Sequence, residues 1–554
     1  MKKFLSNKHY IVLFILIALA LGIRLFGINQ AFYDDEIDYI VTTQIATFYG
    51  LNNVVLHTPL VTWINMVPAL LGIHVWLFRL VPLIFGLLTI IFTYLIARKV
   101  YNKKAALFAV AIMAFSFYHI LASLQIGDEG AILAFFYTFA FYSYLRYEEG
   151  NKVFYWLTGI SAGLAMLTKE SSLMLLGILT LYIFSKEKNM FTLQNIRNTF
   201  LKILPIAIIA FLFFSIYLIL SYLNPVNVTD NVKETILQSL SIGLSFQGLG
   251  LLLLWAGPLL LGLFVLSLLK YEKKDNLFFI WIFSALTIYL IFIQEGDHSR
   301  YFMNIIPALA ILGGKFLSKI KFTKKSIALG SFTFIIFFII LSLLNIGGFD
   351  YVPRTFDSYI SEIRSFNTDF LFSYTTSSGP LFLISFFSII FSWLWSLFFL
   401  IFSIAWIKKR LKYFGKLMFI AFLAVSFSFN LFLVQEHLFH NFHANPSNVI
   451  KEMVKYPYSL PVYSDNTAIL FYLNNRYLED QGRKGGNWYY TGVYGEYIDR
   501  DNIEMAVRDI GGTIFLLNYP ILPSNSPVLE LVKDCNLEKT FTSKEVKLGY
   551  VYRC

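Results

Sequence analysis

Long apolar runs separated by short charged loops fill the first 434 residues of the chain. A helix needs about 20 predominantly apolar residues to cross ~30 Å of hydrocarbon. The pattern predicts about thirteen crossings, at residues 10–27, 75–97, 105–124, 131–147, 153–167, 172–184, 200–223, 249–269, 277–293, 301–317, 327–344, 381–407 and 417–434. We therefore expect a mostly α-helical, polytopic membrane protein.

Two regions depart from this pattern. A long loop, residues 28–73, follows the first span and contains an amphipathic stretch, Leu60–Leu71, that is expected to lie along the membrane interface. Beyond residue 434 the polarity becomes ordinary and turn residues are frequent. Strand-like runs occur at 461–464, 513–517 and 545–552, and helical pieces at 468–474 and 502–508. The prediction is a membrane domain, 1–434, followed by a small extracytoplasmic α/β domain, 435–554.

Cys535 and Cys554, the two cysteines of the chain, lie in this second domain. If residues 537–542 and 546–553 form a hairpin that turns near Lys544, the two cysteines fall opposite each other. A disulfide is allowed outside the cytoplasm, although two free thiols remain the alternative.

Composition and charge agree with a membrane protein whose orientation is fixed. Of the 554 residues 57% are hydrophobic and 14% charged, with a mean hydropathy of +0.63, whereas soluble domains carry about 25% charged residues. The formal net charge is +11, and the six loops predicted to be inside are all basic, as the positive-inside rule requires. The sequence therefore predicts a cytoplasmic N-terminus, an extracytoplasmic C-terminus and no nucleic-acid partner.

Arg24 and Arg79 fall inside predicted spans, but near enough to their ends for the side chains to reach the headgroups.

The residues capable of chemistry gather on the predicted outer side. Asp34, Asp35 and Glu36 directly follow the first span, where carboxylates oppose the dipole of a helix that ends there. The other candidates in the outer loops are His57, Asp128, Lys169, Arg300 and Tyr301. A carboxylate could take a proton from an attacking hydroxyl or amine, and fixed cations could stabilise a phosphate leaving group. The alternative is that each charge merely ends its helix at the headgroups and that His57 is an ordinary loop residue.

Four short motifs resemble those of the GT-C membrane glycosyltransferases, within them the branch of the protein O-mannosyltransferases and the lipid A aminoarabinose transferases. An Asp-Glu pair followed by Tyr39 stands soon after the first span. His57-Thr58-Pro59-Leu60-Val61-Thr62-Trp63 is similar to the branch's His/Lys-Pro-Pro-Leu-x-x-Trp. Leu167-Thr168-Lys169 resembles Leu-Thr-Lys-Gly, and Arg300-Tyr301 with Pro307 resembles Arg-Tyr-x-x-x-x-x-Pro. The resemblance covers residues 10–320 well and the remainder in architecture.

The resemblance implies transfer of a sugar, with inversion, from a polyprenyl-phosphate donor to a lipid, glycan or protein acceptor at the outer face of the cell membrane. Asp35 would be the general base, and Glu36 would orient the acceptor or support Asp35. Lys169, Arg300 and Tyr301 would contact the donor phosphate, while His57 and Asp128 would shape the loops near the acceptor. The extra Asp34 leaves open whether Asp34 or Asp35 is the base.

The sequence departs from the motifs at two positions, and two other classes of function stay open. Thr58 replaces a usual Pro and Glu170 a usual Gly, which puts the substrate in doubt. A lipid or sugar transporter would carry charges at mid-membrane and two related halves, whereas a non-catalytic scaffold would need neither. A divalent cation is compatible with the acidic cluster, but no ligand spacing requires one, so no metal or other cofactor is assigned.

Overall fold

The computed structural model describes residues 8–33, 35–49, 58–72, 74–128, 130–186, 192–223, 243–292, 299–352, 356–374, 382–408, 414–459, 462–480, 495–497, 512–518 and 527–554. The helices of the first half are α1 (Lys8–Leu25), α2 (Asp35–Tyr49), α3 (Leu60–Leu71), α4 (Val75–Val100), α5 (Lys103–Phe115), α6 (Phe117–Ala122), α7 (Ala131–Tyr147), α8 (Val153–Thr168), α9 (Leu173–Ser185) and α10 (Leu193–Leu223). Those of the second half are α11 (Phe246–Leu268), α12 (Asn276–Thr287), α13 (Ile306–Ser318), α14 (Lys324–Leu343), α15 (Phe356–Arg364), α16 (Phe386–Ile407), α17 (Phe414–Phe439), α18 (Pro446–Met453), α19 (Thr467–Asp480) and α20 (Pro527–Leu531). Short 3₁₀ turns cover Glu170–Ser172, Lys273–Asp275 and Ser299–Ile305, and a π-helical turn covers Ile288–Phe292.

Most of the apolar runs of the sequence are helical in the structure, and the protein is a multi-pass membrane protein. Within the described ranges, nine helical segments are long and apolar enough to cross a bilayer. Two further runs form the shorter apolar helices Val153–Thr168 and Glu170–Ser185. The figure of thirteen crossings therefore stays a prediction.

The run predicted as helix over 381–407 is wrong at its beginning. Phe382–Ser385 is a strand, β3, and helix α16 begins only at Phe386. β3 pairs antiparallel with β2 (Phe370–Tyr374), which pairs parallel with β1 (Asp350–Tyr351). All four residues of β3 are buried, and a strand that is buried on both faces has the same continuous apolar sequence as a buried helix.

The described C-terminal region contains a β-sheet and short helices, and its division from the membrane helices as a separate domain stays a prediction. Its five-stranded sheet has the order β5-β4-β6-β8-β7, formed by β4 (Val462–Ser464), β5 (Gly495–Tyr497), β6 (Thr513–Leu517), β7 (Asn536–Ser543) and β8 (Val546–Arg553). The β7–β8 hairpin pairs Asn536 with Arg553, and a disulfide joins Cys535 to Cys554 just beyond that pair. The predicted helix at 502–508 lies outside the described residues.

The core of the membrane helices continues into the C-terminal region. Val449 and Ile450 of α18 and Leu548 of β8 belong to the same buried cluster as the helices of the bundle. The sheet therefore rests directly on one end of the bundle.

Helix α13, which follows the 3₁₀ turn Ser299–Ile305, packs closely against α5. A Cβ atom on Gly314 of α13 would lie 2.5 Å from the carbonyl oxygen of Ala105 and 2.6 Å from the amide nitrogen of Ala109, both on α5. Only glycine permits this approach of two backbones, a common device between membrane helices. The 3₁₀ turn Ser299–Ile305 leads directly into this closely packed helix.

Candidate active site

The acidic cluster begins a helix instead of ending one. Asp35, Glu36 and Asp38 form the first turn of α2, where negative charge is favoured by the partial positive charge of the helix N-terminus. The expectation that these carboxylates oppose a helix dipole is wrong, because α1 ends at Leu25 and nine residues separate it from α2. Asp34 lies outside the described residues.

Asp35 pairs with Arg300. Arg300 Nη1 donates to Asp35 Oδ2 over 2.5 Å, with 33% of the Asp35 side chain and 8% of the Arg300 side chain exposed. Arg300 is buried in the 3₁₀ turn before α13, 265 positions away from Asp35 in the chain. The contact leaves the carboxylate accessible to an incoming molecule while a cation holds it in place.

A second ion pair adjoins the first. Lys169 caps the C-terminus of α8, and its Nζ lies 3.0 Å from Oδ2 of Asp128, which is 1% exposed. The same Nζ lies 5.6 Å above the ring of Tyr301, the residue after Arg300. Asp35, Arg300, Tyr301, Lys169 and Asp128 therefore form one continuous polar site at one end of the bundle.

Glu36 and His57 are the remaining candidates of the first loop. His57 lies outside the described residues. Glu36 is fully buried, with its two oxygens 2.8 Å from Nη1 and Nη2 of Arg79. The Glu36 carboxylate also accepts hydrogen bonds from the backbone N–H groups of Tyr33 and Ile126, at 3.1 and 3.0 Å. Burial raises the pKa of Glu36, and the Arg79 guanidinium and these two N–H donors oppose that shift.

The prediction that Arg79 reaches the headgroups is wrong. Its side chain is fully buried and, besides the two oxygens of Glu36, donates to three backbone carbonyls. These belong to Gln30 and Ala31, both at 3.1 Å, and to Leu124. All five N–H donors of a guanidinium are thus used. Arg79 ties the segment before Asp35 to the segment before Asp128, so it is a residue of the site that the sequence pattern did not reveal.

The corresponding prediction for Arg24 is also wrong. Arg24 is fully buried in α1 and donates to the carbonyls of Ala20, Ala114 and Met113 at 2.8, 3.2 and 3.3 Å. It also lies 2.8 Å from Nδ1 of His119. Because the helix breaks between α5 and α6, carbonyls at the end of α5 lose their helical partners, and Arg24 supplies donors for them.

Tyr289 is a second residue that the sequence pattern did not reveal. It lies on the π-helical turn after α12, and its ring stacks on that of Tyr301, with centroids 5.4 Å apart. Its hydroxyl lies 3.2 Å from Oγ of Ser171 and accepts from Nδ2 of Asn304 at 3.4 Å. π-Helical turns within α-helices are frequent at functional sites, and this one places Tyr289 beneath the ring that Lys169 covers.

The π-helical turn is capped from outside. The backbone N–H groups of Gly243 and Ser245 donate to the carbonyls of Ile291 and Leu290, at 3.1 and 2.8 Å. Carbonyls released from the α-helical pattern thereby keep partners.

Among the side chains that the structure describes, no group of three His, Cys, Asp or Glu residues is arranged to hold a metal ion.

Comparison with known proteins supports the fold. Residues 56–220 match the family model for dolichyl-phosphate-mannose-protein mannosyltransferase. The structure of ArnT from Cupriavidus metallidurans in the apo state is 14% identical, with a TM-score of 0.56 over 98% of this chain and 97% of that one. The same protein bound to undecaprenyl phosphate is 15% identical, with a TM-score of 0.58 over the same shares. The chain resembles the GT-C membrane glycosyltransferases.

This result confirms the resemblance inferred from the motifs. The matched range contains the motifs at His57 and Lys169, and the likeness to ArnT extends over nearly the whole chain, the C-terminal region included. A weaker match, to the protein O-mannosyltransferase complex Pmt1–Pmt2 of S. cerevisiae bound to its sugar donor, is 21% identical. It has a TM-score of 0.32 and covers 39% of this chain and 33% of that one. No curated protein sequence matches.

Proposed function

We propose that the protein is a glycosyltransferase that moves a sugar from a polyprenyl-phosphate donor to a lipid, glycan or protein acceptor at the outer face of the cell membrane, with inversion. The observation that carries the proposal is the contact of Asp35 with Arg300 beside the Lys169–Tyr301 pair. This arrangement joins a partly exposed carboxylate to two fixed cations. A base and a phosphate site are the two features that this reaction requires.

Asp35 acts as the general base. It takes the proton from the acceptor's hydroxyl or amine while that atom forms a bond to the anomeric carbon of the sugar. The bond from that carbon to the phosphate oxygen breaks on the opposite face, which inverts the configuration. The carrier phosphate keeps the electron pair and leaves as an anion, stabilised by Arg300 and Lys169. No nucleotide is needed, because the sugar–phosphate bond of the donor is already activated.

The two ion pairs describe the site before the donor binds. Without donor, Asp35 and Asp128 neutralise Arg300 and Lys169. A donor phosphate would compete with both carboxylates for these cations, and Arg300 can bind phosphate with two parallel hydrogen bonds. Binding of the donor thereby loosens Asp35 from Arg300 and frees it for the acceptor. Glu36 is fully engaged by Arg79, and its role is to position Asp35.

The comparisons and the charge pattern support this proposal. The ArnT structure that shares the fold was solved with undecaprenyl phosphate, a polyprenyl-phosphate carrier. The basic loops favour a cytoplasmic N-terminus, and this orientation supports a site, with the region 435–554, outside the cytoplasm. A donor with a long lipid tail stays in the bilayer, so a site at headgroup level suits it.

The test compares polyprenyl-linked sugars and envelope glycans by mass spectrometry in cells with and without the protein. Cells without it are complemented with the wild type, with Asp35→Asn, or with Asp369→Asn as a matched control, since Asp369 is an exposed acid outside the site. One sugar should accumulate on its carrier without the protein and in Asp35→Asn cells, but not in Asp369→Asn cells. A transporter or scaffold would be indicated if Asp35→Asn restored the wild-type profile.

A further inference from the structure

The segment that leads to Asp35, residues 30–33, has neither helical nor strand structure, yet it is buried. Gln30, Ala31, Phe32 and Tyr33 are each at most 7% exposed. Buried backbone groups need hydrogen-bond partners. The carbonyls of Gln30 and Ala31 accept hydrogen bonds from the side chain of Arg79. The partners of two of the N–H groups come from a different part of the molecule.

These partners belong to the C-terminal region. The N–H of Ala31 donates to Oγ of Ser447 on α18 over 2.6 Å. The N–H of Phe32 donates to the hydroxyl oxygen of Tyr472 on α19 over 2.9 Å. The rings of Phe32 and Tyr472 lie parallel, with centroids 6.0 Å apart and an interplanar angle of 1°. Two side chains from more than 400 positions further along the chain therefore hold the backbone just before Asp35.

The same two helices contact the flanks of this segment. Lys451 of α18 donates to the carbonyl of Asn29, and Gln44, in the middle of α2, donates to Oδ1 of Asn475 on α19 over 3.5 Å. Helices α18 and α19 thus contact the chain on both sides of Asp35: at Asn29, before the buried segment, and at Gln44, in the third turn of α2. Asp35 lies between these contacts, at the first position of α2.

We propose that Ser447 and Tyr472 are positioning residues for Asp35, which makes the C-terminal region part of the catalytic unit. They fix the N–H groups of residues 31 and 32, and through them the angle at which α2 begins. This inference rests on the proposed function. A displacement of about 1 Å at a reacting group can cost a large factor in rate, so a hydrogen bond three or four residues away from Asp35 affects turnover.

The experiment uses the full-length protein in lipid nanodiscs and the variants Tyr472→Phe and Ser447→Ala. Tyr472→Phe keeps the ring stacked on Phe32 and removes only the hydroxyl. Each variant should lower kcat about tenfold while the KM for the donor stays at the wild-type value. The melting temperature should fall by no more than about 3 °C, because a single buried N–H group loses its partner. Ser447→Thr, which keeps a hydroxyl, should restore kcat. Tyr550→Phe, in the same region but on strand β8, is the matched control.

Hydrogen exchange separates this inference from the proposed function. The amides of residues 31 and 32 should exchange faster in both variants than in the wild type and in Tyr550→Phe. Wild-type kcat together with unchanged exchange in both variants would overturn the inference. If the wild type itself transfers no sugar, the proposed function fails, and exchange alone decides: faster exchange upholds the role of Ser447 and Tyr472, and unchanged exchange overturns it.

Discussion

Replacing Arg79 by Lys tests whether one buried guanidinium organises the site. Arg79 uses five donors on five acceptors: two oxygens of Glu36 and the carbonyls of Gln30, Ala31 and Leu124. A lysine ammonium has three donors, so at least two buried acceptors lose their partner. Each such loss costs about 1–3 kcal/mol, so the variant should be destabilised by about 4 kcal/mol.

The stability effect can be converted to a melting temperature. An unfolding entropy of about 2.1 cal/mol/K per residue gives about 1.2 kcal/mol/K for 554 residues. A loss of about 4 kcal/mol therefore lowers the melting temperature by about 3 °C. Intrinsic tryptophan fluorescence on heating, in detergent, measures this shift, and sugar transfer should fall at least about tenfold because Asp35 is no longer held.

Arg364→Lys is the matched control for this experiment, because Arg364 is exposed at the end of α15. It should melt and turn over as the wild type does. If Arg79→Lys is indistinguishable from Arg364→Lys in both measurements, Arg79 does not organise the site, since an arginine at the headgroups would tolerate lysine.

Three further variants probe the phosphate site and the C-terminal junction. Lys169→Gln should weaken binding of radiolabelled polyprenyl phosphate about tenfold, because it removes one of two cations and leaves Asp128 buried without that partner. Tyr289→Phe keeps the ring stack but loses the hydroxyl, and initial rates of sugar transfer should fall about threefold. His440 and His443 lie beyond the end of α17, and burial lowers the pKa of each to about 4. Between pH 6.5 and 4 the unfolded chain binds protons that the folded protein does not, so the melting temperature should fall with pH across this window, and less in His440→Asn.

Each of these predictions has an outcome that contradicts it. Unchanged lipid affinity in Lys169→Gln would remove Lys169 from the phosphate site. Wild-type rates in Tyr289→Phe would make the π-helical turn a packing feature only. A melting curve of His440→Asn that declines with acid as steeply as that of the wild type would assign the acid sensitivity to other groups. His440 has a φ of 46°, a conformation that asparagine tolerates well, so the replacement adds no backbone strain.

The apolar pattern predicted the helices well, because a membrane imposes length and continuity on each crossing. Short motifs indicated Asp35, Lys169 and Arg300. The fold pairs Asp35 with Arg300 and sets Lys169 over the ring of Tyr301, the residue after Arg300. The pattern failed at β3, where burial on both faces erases the alternation that marks a strand. It also failed at Arg79, since an arginine near a helix end looks the same whether it faces headgroups or a buried glutamate.

Contacts between distant parts of the chain could not be predicted in this way. Tyr289 stands in an apolar run, and the π-helical turn there receives hydrogen bonds from the N–H groups of Gly243 and Ser245, more than 40 positions earlier in the chain. The sequence around Ser447 and Tyr472 does not indicate that these residues contact residues 31 and 32. Such pairings depend on how helices and strands pack against one another, and the periodicity of a local sequence does not predict that packing.

The most direct test of the proposed mechanism is a single-turnover measurement with saturating enzyme and a radiolabelled polyprenyl-phosphate sugar. Asp35→Asn keeps the size of the side chain but cannot take a proton. This variant should bind the donor at least as tightly as the wild type, because Arg300 no longer faces a carboxylate that competes with the donor phosphate. It should transfer the sugar at least about 10²-fold more slowly, the usual contribution of a general base. Transfer by Asp35→Asn at the rate of the Asp369→Asn control would contradict the proposed mechanism.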